Sequence, residues 1–76
     1  MPRLTPQHHR ILVKVFKKAG FSIDREEGDH VIMERSDIER PIVIPKYDEI
    51  GIDIIKANLR TAKITRKEYF KLLSNL

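Results

Sequence analysis

Imidazole is the one side chain whose unperturbed pKa lies near neutrality. His30 places one at the first residue of an apolar run, directly after a turn, in Glu27-Gly28-Asp29-His30-Val31-Ile32-Met33. Such a group can take a proton from a ribose 2′-OH and return one to a leaving 5′-oxygen without a metal. The plainer alternative is a strand histidine in a routine hydrogen bond. No other residues compete for chemistry. His8 and His9 are adjacent, so on a helix they would point about 100 degrees apart and could not share an ion, and no metal site is expected. The carboxylates are scattered rather than paired, and the glycines are too far apart for a phosphate-binding loop. Tyr47 and Tyr69 do not interleave with basic residues as base-stacking RNA modules require. No cofactor is expected.

The elements that must hold His30 are written in short local signals. Thr5-Pro6 predicts a helix start, with a side-chain oxygen for an orphan N–H and then proline at the first helical position. Ile11, Leu12, Val15, Phe16 and Ala19 recur at helical spacing as a buried stripe, with Arg10, Lys14 and Lys17 opposite. Gly20 supplies the left-handed residue that ends the helix, and Phe21 the apolar contact that accompanies such a cap. The basic side is an ordinary solvated face unless a site lies beside it. In that case Lys14, Lys17 and Lys18 are the residues it offers to backbone phosphates.

Phe21 to Arg25 alternates as a strand with one buried face, Glu26 to Asp29 turns, and His30 to Arg35 resumes as a second strand. Ser36 to Glu39 turns again before a third strand from Arg40 to Pro45, whose two prolines predict an edge position. Val31-Ile32-Met33 and Ile42-Val43-Ile44 are apolar on both faces, so a second chain is expected to cover the side away from the helices. Ile32, Met33 and Val43 are the candidates for that covered surface. Lys46 to Ile52 connects, with Gly51 as hinge. Asp53 is expected to cap a helix that buries Ile55, Leu59 and Ala62, with Asn58 at the margin. Thr65 and Glu68 form a capping box with Ile64 and Tyr69 as its staple, which starts a last helix whose apolar side is Tyr69, Phe70, Leu72, Leu73 and Leu76. The order is α-β-β-β-α-α: an α+β domain with a three-stranded antiparallel sheet and helices on one face.

A chain of 76 residues bounds this to one domain, 1–76, with a core near the lower limit for unaided folding. It has no cysteine for disulfides or thiolate metal sites. No apolar run approaches the length of a membrane span, and Met1-Pro2-Arg3 is not followed by a signal-peptide core, so a cytoplasmic address is expected. The net charge of +4 and pI near 9.6 suit a polyanion partner.

Four segments in order carry a family likeness: Gly20-Phe21; Gly28-Asp29-His30-Val31-Ile32-Met33; Val43-Ile44-Pro45; and Leu59-Arg60-Thr61-Ala62-Lys63-Ile64-Thr65-Arg66-Lys67-Glu68-Tyr69-Phe70. Together they resemble the HicA, or YcfA-like, toxin family. The resemblance implies a double-stranded-RNA-binding-domain-like fold and a small ribosome-independent mRNA interferase, and single-stranded mRNA is the expected substrate. It also implies a HicB-like antitoxin partner that holds the enzyme inactive. The family motif is Gly-Ser-His at the start of the second strand. By that resemblance Gly28 matches the motif glycine, on the RNA-binding side of the assignment, and His30 the catalytic histidine. Asp29 stands where the family usually has Ser, Val31 where many members carry a second His, and Asn58 at a commonly apolar position. A carboxylate at 29 can repel phosphate or orient an imidazole. Two other readings stay open: an RNA-binding domain without catalysis, and a protein-interaction module of a toxin–antitoxin-like complex. Self-association is a further use for the apolar sheet.

Overall fold

The computed structural model describes residues 3–76. Met1 and Pro2, the first residues of the N-terminal stretch that lacks a signal-peptide core, lie outside the described residues. The elements follow the expected order: α1 (His9–Lys18), β1 (Ser22–Glu27), β2 (His30–Glu34), β3 (Ile42–Pro45), α2 (Ile52–Ala62) and α3 (Arg66–Ser74). The strands form one antiparallel sheet in the order β1-β2-β3, so proline-flanked β3 is an edge. α1 and α2 pack against β3, and α1 against α3. Val31, Met33, Ile42 and Ile44 join Leu12, Val15, Phe16, Ile55, Leu59 and Tyr69 in one core. This is an α+β fold of the double-stranded-RNA-binding-domain-like kind.

Local signals set most of these boundaries. Leu12, Val15 and Phe16 are buried on α1 as its spacing requires. The helix closes on Gly20, at φ +95, while the N–H groups of Gly20 and Phe21 donate to the Lys17 and Phe16 carbonyls at 3.0 and 2.9 Å. That is a Schellman cap, and Phe21 meets Phe16 edge to face at 5.6 Å. The capping box is complete, with Glu68 N–H donating to Thr65 Oγ1 at 3.1 Å and Thr65 N–H to Glu68 Oε1 at 3.3 Å. Both staple residues, Ile64 and Tyr69, are buried.

Several expectations fail where a distant partner outweighs the local signal. α1 begins at His9 rather than after Thr5, because Gln7 pairs with Ile50 in both directions, at 3.2 and 2.7 Å, and is held extended. His8 becomes the cap, its Nδ1 accepting the Arg10 N–H at 3.1 Å. Gly51, not Asp53, precedes α2, and Asp53 sits in the first turn, where its charge complements the helix dipole. β3 starts at Ile42, two residues later than expected. Leu76 follows the end of α3 and is exposed.

β1 buries no residue at all. It is the edge strand away from β3, where the helices pack, and Ile23 remains 40% exposed. A bulge at Asp24 steps the register from Ile23↔Met33 to Arg25↔Ile32 and reverses which side chains face the helices. The far face of the sheet is less apolar than the sequence suggests. Met33 points into the core and is unavailable to a partner, Ile32 is covered to 7% exposure, and Val43 alone of the three expected contacts is open, at 42%.

Asn58 is buried rather than marginal, and its Nδ2 has no hydrogen-bond partner among the described residues. An unpaired buried amide costs about 1–3 kcal/mol. Asn58→Leu is therefore expected to stabilise the fold by about 1–2 kcal/mol, seen as a higher denaturant midpoint at unchanged m value. A lower midpoint would mean that Nδ2 is satisfied by a bound water.

Candidate active site

The β1–β2 connection is two residues long, Gly28 and Asp29, between the paired Glu27 and His30. Gly28 has φ +53, which a side chain would strain, and a Cβ there would meet nothing within 4 Å. The glycine is required by backbone conformation rather than by crowding. The Asp29 carbonyl accepts the Lys46 N–H at 2.6 Å, which ties the turn to the chain leaving β3.

His30 pairs with Glu27 on one side and Pro45 on the other. Because Val31 and Met33 enter the core, alternation turns His30 and Ile32 to the face away from the helices. His30 is exposed, and its ring bonds to no other side chain or carbonyl among the described residues. The imidazole is thus open to a ligand, on a strand position fixed by pairing on both sides.

The basic side of α1 lies elsewhere. Lys14 and Lys17, with His9, Arg10 and Val13, form one wall of a groove of about 470 Å³ whose other wall is Ile23, Glu26, Val31 and Lys46. Lys18 is outside it. The structure brings Lys14 and Lys17 together but not onto the face that carries His30. The groove and the histidine meet only at the end of the sheet, where Lys46 follows Pro45, the partner of His30.

Sequence reasoning missed Lys46, Glu26 and His9. Lys46 Nζ lies 2.6 Å from Glu26 Oε1. That hydrogen bond and charge hold the Glu26 carboxyl below the usual carboxylate range, with His9 adding in the same direction. The His9 ring Nδ1 lies 3.0 Å from the Tyr47 carbonyl, which also accepts the His9 backbone N–H at 3.2 Å. A carbonyl only accepts, so Nδ1 is the donor in this contact. The expected divergence of His8 and His9 does not occur: with His8 outside the helix, the two rings stack at 4.3 Å. Among the described residues, no three His, Asp or Glu side chains gather as metal ligands.

The family described as HicA toxin of bacterial toxin-antitoxin matches residues 10–64. The chain belongs to the HicA toxin family. The matched span takes in Lys14, Lys17, Lys18, Gly28 and His30 and ends at the staple residue Ile64. No curated protein matches the chain. HicA membership makes the protein a toxin component of a bacterial toxin–antitoxin system and implies an antitoxin partner. No helix among the described residues is long and apolar enough to cross a membrane.

The two residues that flank His30 in this HicA chain lie in different settings. Asp29 is exposed in the turn immediately before His30. Position 31 faces the other way. Val31 lines the groove and the core, so a histidine there would lie across the sheet from His30 and not beside it.

Proposed function

We propose that this HicA chain is an mRNA interferase that cleaves single-stranded RNA by metal-independent transesterification at His30. His30 takes the 2′-OH proton as the 2′-oxygen attacks the adjacent phosphorus, and the resulting imidazolium protonates the departing 5′-oxygen. The products are a 2′,3′-cyclic phosphate and a 5′-hydroxyl. The observation that carries this reading is His30 itself: an exposed, unengaged imidazole within the family match, on a strand start held by pairing to both neighbours. The basic balance of the chain supports a polyanionic substrate. We assign Gly28 to RNA binding through the turn it permits, and Lys14 and Lys17, with Lys18 beyond the groove, to phosphate contacts. The cognate partner is a HicB-like antitoxin that covers His30 from the outer face, where Val43 provides apolar contact.

A defined oligoribonucleotide in EDTA tests the reading. Cleavage should persist in the chelator, yield a 2′,3′-cyclic phosphate end, and vanish when the cleaved position carries a 2′-deoxy sugar. Addition of the antitoxin should stop it and slow hydrogen exchange across His30–Glu34. RNA bound but left intact would select the non-catalytic RNA-binding domain. An antitoxin complex with no RNA affinity in the free chain would select the interaction module.

A further inference from the structure

The groove under α1 already holds an anion, and it is the chain's own. Glu26 is the one carboxylate among the groove-lining residues, and it lies against Lys46 while Arg10, Lys14 and Lys17 stand on the opposite wall. We propose that this groove is the track for the RNA phosphodiester backbone, and that Glu26 is an internal stand-in for a phosphate that the substrate displaces from Lys46. The proposal rests on the RNA reading above and extends it to residues on the other face of the sheet.

Three observations support it. The Glu26 and Lys46 side chains are 54% and 35% exposed, so the pair is open to competition, and solvent-exposed ion pairs of this kind are weak. Breaking it for a phosphate therefore costs little, while several cations on one track gain counterion release from a polyanion that a single carboxylate cannot provide. Val13, Ile23 and Val31 add apolar lining from both walls, and Ile23 is 40% exposed, which leaves room for a ribose or base against a surface that screens charge poorly. Finally, Lys46 is anchored by its N–H bond to the Asp29 carbonyl, one residue from the Pro45 partner of His30. A backbone that leaves the groove past Lys46 reaches the end of the sheet where His30 is exposed.

Binding of a short single-stranded oligoribonucleotide to the full chain, followed by fluorescence anisotropy in a His30→Ala background across a salt series, tests this. Glu26→Gln is isosteric and exposed, and should tighten binding about two- to fivefold. It should also steepen the salt dependence by about one phosphate contact. Lys46→Gln should weaken binding, and the gain from Glu26→Gln should shrink when Lys46 is already Gln. Lys18→Gln removes the same charge outside the groove and should cost less than Lys14→Gln or Lys17→Gln. Unchanged affinity and slope in Glu26→Gln, with wild type still cleaving RNA, would overturn the stand-in and leave the nuclease reading in place. Tighter binding in Glu26→Gln from a protein that never cleaves would keep the groove and reject the nuclease. Absence of RNA binding in every variant would reject both.

Discussion

His30→Ala is expected to lower RNA cleavage by roughly 10²–10⁴-fold, the usual contribution of a positioned general acid–base group, and to abolish growth arrest. The size follows from the solitary position of this imidazole. No second histidine shares its face: His8 and His9 lie at the start of α1, and position 31 is a valine turned into the core. In the proposed mechanism one ring both accepts the 2′-OH proton and protonates the leaving oxygen, so its removal takes away both transfers. The fold should be indifferent. His30 is exposed and contributes to the sheet through its backbone, and exposed substitutions of this kind usually change stability by less than about 0.5 kcal/mol. Single-turnover cleavage alongside a thermal melt measures both quantities. Cleavage within about threefold of wild type, below any general acid–base contribution, would remove His30 from the mechanism and direct attention to His9, the histidine that lines the groove.

Phe16→Ala should abolish toxicity for a different reason. Phe16 is almost wholly buried, packs edge to face on Phe21, and lies in the core that joins α1 to the sheet. Truncating a buried phenylalanine costs about 3–5 kcal/mol. Against this, a domain of 76 residues has a total stability on the order of 4–11 kcal/mol. The variant is expected to melt at least about 12 °C lower and to cleave RNA in the cold but not on warming. The contrast with His30→Ala is diagnostic, since that variant keeps its melting point and loses cleavage at every temperature. A melting shift below about 5 °C, less than about 1 kcal/mol for a domain of this size, would mean that the core closes around the missing ring.

The parts of this protein legible from its sequence are those decided within one or two turns of chain. The α1 stripe, the Gly20 cap, the Gly28 turn and the Thr65–Glu68 capping box depend on partners at most a few residues away, so residue type and spacing determine them. His30 was legible for the same reason: a turn followed by an apolar run dictates a strand start. What only the tertiary structure decided depends on residues far apart in the chain. Pairing of Gln7 with Ile50 overrode the Thr5-Pro6 helix signal, because two backbone hydrogen bonds outweigh one side-chain cap. The bulge at Asp24 left no mark in the alternation of β1, yet it reversed the strand's faces and put Glu26 under α1 within reach of Lys46. The separation of Lys14 and Lys17 from His30 was equally invisible. Sequence places charges on a helix and a histidine on a strand, but which face of a sheet a helix covers is set by the packing of the whole core.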